Sequence, residues 1–285
     1  MNKNSKDKKD NLYIKGIIES NKPFFIGRIA GCELKVAYYY QTGDILDVVD
    51  ELKELENNAG IYTKNSGSLA EYTSRLIQSY EHCTVIAEWP ISGKVFAHTG
   101  SGQEFISTRT PMTPKIAARA LEPYYFEDSW MPALKGKKIL IVHPFSKTFA
   151  KQVPNLKKVF PKKQWFEDCD LQFIQPPLTL AGNHDDRDWQ EHLHPFLESL
   201  RELKEFDIAL VAAGGYGMLI SDFIFIQLGK SVMYVGGALQ IFFGVIGKRW
   251  FENKEILKMV NDDWIRPLSD DKPSNFIRVE KGCYW

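Results

Sequence analysis

The sequence predicts an α/β fold: a Rossmann-like parallel sheet with helices on both faces and a helix-rich N-terminal portion. Two observations carry that reading. Residues 139–245 alternate short apolar runs of strand length (139–142, 171–174, 207–213 and 231–235) with segments of helical character, a βαβαβαβα pattern. The run Ala209-Leu210-Val211-Ala212-Ala213 is continuously apolar, as a strand buried on both faces of a parallel sheet must be. Each of the last two runs then ends in a glycine pair, Gly214-Gly215 with Tyr216-Gly217 behind it, and Gly236-Gly237. Each leads into an apolar helix-like segment, 218–228 and 238–245.

Composition narrows the class. With 285 residues and 44% hydrophobic content the chain can bury a sizeable core. Lys+Arg and Asp+Glu are 36 each, so nothing global favours nucleic acid or an anionic membrane as partner. Cys32, Cys83, Cys169 and Cys283 are scattered without a CxxC pair, which argues against a zinc ribbon or a disulfide framework and predicts a reducing, cytoplasmic location. No run reaches the roughly 18 apolar residues of a membrane span. Residues 1–11 are polar and lysine-rich with no apolar core of a signal peptide, and read as a disordered tail. Residues 12–285 then form one α/β domain: an N-terminal portion 12–130, a Rossmann-like portion 131–250 and a C-terminal tail 251–285.

Taken in order, 12–19 has helical spacing and stops at Lys22-Pro23. Phe24-Phe25-Ile26-Gly27-Arg28 is a short strand, followed by Ile29-Ala30-Gly31-Cys32-Glu33 and a helix through Tyr38. Residues 44–56 and 68–81 read as amphipathic helices, the second capped by Ser66 or Ser68 with Glu71. Residues 85–88 and 94–98 read as strands, Thr99-Gly100-Ser101-Gly102 as a loop and 114–121 as a short helix. The aromatic run Tyr124-Tyr125-Phe126 fits core lining. Strand 139–142 ends on His143-Pro144-Phe145-Ser146, with a helix to Gln152. The longest helix is predicted over 186–204, with a kink at Pro195 and Asn183-His184-Asp185-Asp186 as its acidic cap.

Chemistry concentrates at the strand ends. Glycines where a strand hands over to a helix let a ligand approach the backbone, and the helix start behind them presents free N–H groups to an anion. In open α/β sheets ligands sit beyond the carboxyl ends of the strands. Gly214, Gly215, Tyr216, Gly217, Gly236 and Gly237 therefore sketch a phosphate or nucleotide site, unless the glycines only end strands and permit close packing. Arg28, Glu33, His143 and Ser146 fall at the same sheet end; Arg28 and Glu33 also fit a surface ion pair at a helix start. A dinucleotide oxidoreductase is a weaker reading. Gly215-Tyr216-Gly217 matches the start of GxGxxG, but Ile220 stands at the third glycine and no acid follows the next strand.

Arg28-Ile29-Ala30-Gly31-Cys32-Glu33 resembles the Arg-x-Gly-Asp-Gly-Glu turn of glycosyltransferases with the D-type (GT-D) fold, which also follows an early strand. Arg28 and Glu33 match; Ala30, Gly31 and Cys32 stand where that family has Gly, Asp and Gly. Residues 134–146 and 207–250 also look like a group of uncharacterised bacterial and viral proteins with the same Gly-Tyr-Gly and Gly236-Gly237-Ala238-Leu239-Gln240 turns. The resemblance implies a glycosyltransferase that moves a sugar from a nucleotide-sugar donor to a glycan or other hydroxyl acceptor. Glu33 would be the catalytic or metal-linked carboxylate, with His143 an alternative base. Arg28, Gly31, Ser146, the two glycine turns and Gln240 would bind donor. Mn²⁺ or Mg²⁺ is implied through Glu33 and the donor phosphates, and the missing Asp leaves the need for a metal open. Gly31 equally fits a nucleotide-sugar-binding module without catalysis. If another acid fills the vacancy, Asp185 or Asp186 is the first to test.

Overall fold

The computed structural model describes residues 3–43, 45–163 and 165–285. In chain order its main elements are α1 (Lys3–Glu19), β1 (Phe25–Arg28), α2 (Cys32–Thr42), α3 (Ile45–Glu54), α4 (Ser66–Glu81), β2 (Val85–Glu88), α5 (Lys94–Arg109), β3 (Lys115–Ala117), β4 (Lys138–Val142), α6 (Ser146–Gln152), α7 (Leu156–Val159), β5 (Asp170–Ile174), α8 (Trp189–Arg201), β6 (Ile208–Val211), α9 (Gly217–Ile226), β7 (Ser231–Tyr234), α10 (Leu239–Phe242) and α11 (Lys254–Leu257). The strands form one seven-stranded sheet in the order β3-β2-β1-β7-β6-β4-β5, and every pairing is parallel. The predicted α/β architecture is the observed one.

Alternation along the strands makes two cores. Ile26, Ile139, Ile141, Leu210 and Met233 face one side, with α1, α6 and the C-terminal segment. Phe25, Leu140, Val142, Ala209, Val211 and Val232 face the other, against α2, α4, α8 and α9. The three N-terminal strands extend the same sheet through the β1–β7 pairing, Phe25 opposite Val232. Loops after β1, β4, β6 and β7 consequently open on one edge of the molecule. No described helix is long and apolar enough to cross a membrane.

Several local expectations are corrected. Residues 3–11 are not a tail but the first turns of α1, fixed where Asn11 Nδ2 donates to Ala120 O (2.9 Å) and Asp10 accepts from Ala117 N (2.8 Å); residues 1 and 2 lie outside the described residues. Residues 94–98 and Thr99-Gly100-Ser101-Gly102 are helix α5, not strand and loop. Gly102 serves close helix packing there: a Cβ on it would sit 2.7 Å from Leu34 Cβ on α2. Residues 114–121 form edge strand β3 and a 3-10 turn rather than a helix, since Ile86 N and the β2 register draw them into the sheet. Asn65 caps α4 by accepting from Ser68 N, not Ser66 or Ser68, and Glu71 pairs with Arg75 instead. Helix α8 begins at Trp189 behind Asp188, whose N–H donates to Glu191 (2.7 Å), so Asn183-His184-Asp185-Asp186 is not its cap. The helix expected over 238–245 stops after one turn, at Phe242, ahead of Gly244 with φ 63°.

Candidate functional site

A cavity of about 580 Å³ opens at the carboxyl end of the sheet. Strand ends supply most of its wall: Arg28 to Glu33 after β1, Trp89 after β2, His143 to Phe145 after β4, Ala212 to Gly214 after β6, and Tyr234, Gly236 and Gly237 at β7. The structure thus gathers Arg28, Gly31, Glu33, His143, Gly214, Gly236 and Gly237 into one site.

The turn after β1 is built to present Arg28 and Glu33. Tyr80 on α4 clamps it, its hydroxyl donating to Arg28 O (2.8 Å) and accepting from Ala30 N (3.0 Å). Trp89 Nε1 donates to Ile29 O (3.0 Å). The Arg28 guanidinium then lies between the Trp89 and Tyr234 rings, 5.4 and 5.6 Å from their centroids. Its Nε is buried and has no hydrogen-bond partner. Glu33 sits in the first turn of α2 and is 8% exposed. Burial pushes its carboxyl above the ordinary range, against its own backbone N–H, the Cys32 thiol (3.5 Å) and Arg28, which favour the ion. No ion pair joins Arg28 to Glu33 among the described residues, so the surface-pair reading does not describe them.

His143 is buried and held by burial at a pKa of about 3. Its Nδ1 accepts the Phe145 N–H (2.9 Å), which puts the remaining proton on Nε2. A neutral ring in that tautomer donates a hydrogen bond and is a poor base.

Other predicted residues are placed elsewhere. Ser146 opens α6 and does not line the cavity. Gly215 and Gly217 serve packing, because a Cβ on them would collide with Ile61 and with the Tyr234 ring respectively. Tyr216 is buried with its hydroxyl against Thr179 (3.2 Å). Gln240 is buried behind the site, its Nε2 donating to Tyr284 O (3.1 Å). Asp185 and Asp186 do not line the cavity either.

The sequence reading missed a second group of wall residues. Glu54 is the last residue of α3 and Asn58 follows it in the turn toward α4; Val95, His98 and Thr99 come from α5, Arg249 from the 3-10 turn Lys248–Trp250, and Glu280, Tyr284 and Trp285 from the C-terminal segment. Phe145 and Phe276 hold Trp285 edge-on. Nothing in the pattern of 251–285 marks a return to the sheet end; only its closing Tyr284-Trp285 pair signals docking.

The metal implied by the resemblance is poorly provided for. Gly31 offers no ligand, and among the described residues no three His, Cys, Asp or Glu side chains gather as a metal-binding group. Comparison with protein-family models, curated proteins and solved structures gave no match.

Proposed function

We propose that the chain is a glycosyltransferase that takes its sugar from a nucleotide-sugar donor. The observation that carries this reading is the meeting of a buried, up-shifted carboxyl, Glu33, with the stacked guanidinium of Arg28 in one cavity at the carboxyl end of the sheet. In such a reaction the acceptor hydroxyl oxygen bonds to the anomeric carbon while the bond from that carbon to the diphosphate breaks. The bonding electrons leave with the nucleoside diphosphate, and the hydroxyl proton passes to the Glu33 carboxylate. A carboxyl raised toward neutrality by burial holds that proton better than an exposed one. Arg28 offsets the leaving charge, and the His143 Nε2–H is a donor for a sugar or phosphate oxygen.

Gly31 favours a second reading, a nucleotide-sugar-binding module without turnover, because it leaves the turn one carboxylate short of the family pattern. The packing of Gly215 and Gly217 against Ile61 and Tyr234 removes support for dinucleotide binding there.

A panel of nucleotide sugars screened by melting shift, then assayed for donor hydrolysis and transfer, tests the proposal. A donor that stabilises the chain and is cleaved supports transfer. Binding without cleavage favours the module, and no stabilisation by any nucleotide sugar removes both.

A further inference from the structure

The wall of the cavity carries a second arginine that the partial family turn does not foresee. Arg28 comes from the end of β1, whereas Arg249 comes from the segment that returns after β7. They converge on one glycine pair. A Cβ on Gly236 would collide with Arg28 Nη2, and a Cβ on Gly237 would lie 3.2 Å from Arg249 Nη1. Consecutive Cα atoms are about 3.8 Å apart, so the two guanidinium groups lie against adjoining residues of one turn.

Both are held in the same manner. Trp89 and Tyr234 stack on Arg28; Trp250 and Tyr284 stack on Arg249, at 5.4 and 4.8 Å. Stacking uses the faces of a guanidinium and leaves its in-plane N–H groups for an oxyanion. Neither arginine is in an ion pair with a carboxylate among the described residues, and Arg28 Nε is buried without a partner. Arg249 is fixed from behind, its backbone N–H donating to Cys283 O (2.7 Å). Three carboxylates also reach the cavity, Glu33, Glu54 and Glu280. Two of them, Glu54 and Glu280, are exposed to solvent.

We propose that Arg28 and Arg249 clamp a diphosphate group across Gly236 and Gly237 without a divalent metal. The inference rests on the nucleotide-sugar reading and deepens it: two guanidinium groups take the charge-neutralising place of the cation that the partial turn cannot hold. It also gives the C-terminal segment a direct part in the site, with Tyr284 as the positioning residue for Arg249.

The test titrates inorganic pyrophosphate into the full chain by calorimetry in EDTA, with melting temperature measured on each preparation. The wild type should bind, and Arg249→Gln should weaken binding at least tenfold in a chain that still melts cooperatively within a few degrees of wild type, because the residue is exposed and loses only its stacking on Trp250 and Tyr284. Arg249→Lys should fall between them, since a point charge replaces only part of the fork. Arg28→Gln should lose binding too; because Arg28 is packed between rings, Arg249→Gln decides if that variant unfolds. Binding that appears only with Mn²⁺, or an Arg249→Gln chain that binds as well as wild type, overturns the clamp. A nucleotide sugar that binds only with Mn²⁺ overturns the clamp and leaves the donor reading standing. Pyrophosphate held in EDTA through Arg249 but displaced by no nucleotide sugar supports the clamp and removes the donor.

Discussion

Arg28 and Gly236 occupy one corner of the cavity, so close that a Cβ on Gly236 would collide with Nη2 and Cζ of the arginine. Gly236 also has φ 67°, which side chains other than hydrogen rarely adopt. Gly236→Ala should therefore push the guanidinium off its seat between Trp89 and Tyr234 and cost about 1–2 kcal/mol through the backbone alone. Calorimetric titration of a nucleotide sugar should show at least a tenfold loss of affinity in a chain that still melts cooperatively. Unchanged affinity would place the ligand away from Arg28.

Glu33→Gln separates a catalytic carboxyl from a helix cap. Burial raises the Glu33 pKa in the folded chain, so the fold prefers the protonated form. The stability this contributes is full below the ordinary carboxyl range and is lost as pH rises through the raised value. As pH rises from the ordinary carboxyl range through the raised value, the wild type should lose stability relative to the Gln variant, which has no such proton. Turnover should fall roughly a hundredfold or more. A variant with normal turnover, measured beside its melting curve, ends the case for Glu33.

The sequence exposes the sheet better than the site, and for physical reasons. Runs such as Ile139-Leu140-Ile141-Val142 are buried on both faces, so their apolar character is continuous and local. The glycine pairs mark strand ends, yet the sequence does not say which glycine faces a ligand. Gly236 and Gly237 line the cavity, while Gly215 and Gly217 accommodate Ile61 and Tyr234, partners distant in sequence. Tyr284 reaches the site only through the docking of the C-terminal segment, and Arg249 through the turn at 248–250 against which that segment packs, tertiary events with no periodicity. Helix α5 was obscured by Gly100 and Gly102, which read as loop; Gly100 instead lies under the Phe96 ring of the same helix and Gly102 allows close approach to α2.

Acid should destabilise the chain through His143. Its folded pKa is depressed to about 3 by burial, whereas the unfolded imidazole titrates near 6.5. Between those values the unfolded chain binds the extra proton, so stability is full above about pH 6.5 and falls as pH drops. The expected slope contribution is about 1.4 kcal/mol per pH unit. Denaturant melts of wild type and His143→Gln from pH 7 to pH 4 check it. The variant should show a shallower decline, and equal slopes would mean that the imidazole is protonated in the folded chain.

Gly31 gives the sharpest test of the metal question. A Cβ there meets nothing within 4 Å, its φ is −91°, and it is the N-cap of α2. Aspartate is favoured at an N-cap and its charge suits the helix start, so Gly31→Asp should leave stability within about 1 kcal/mol of wild type. It would place a second carboxylate two residues before Glu33, completing the Asp-x-Glu spacing of the resembling family. One carboxylate binds Mn²⁺ poorly, whereas two, with donor phosphates and water, approach a full oxygen shell. Titration of Mn²⁺ in the presence of a bound nucleotide sugar should therefore show at least tenfold tighter binding in Gly31→Asp, and the gain should vanish in the Gly31→Asp, Glu33→Gln double variant. If Gly31→Asp folds but its Mn²⁺ affinity matches wild type, positions 31 and 33 do not converge on one cation. The likeness of this turn to the metal-binding family would then stop at its sequence.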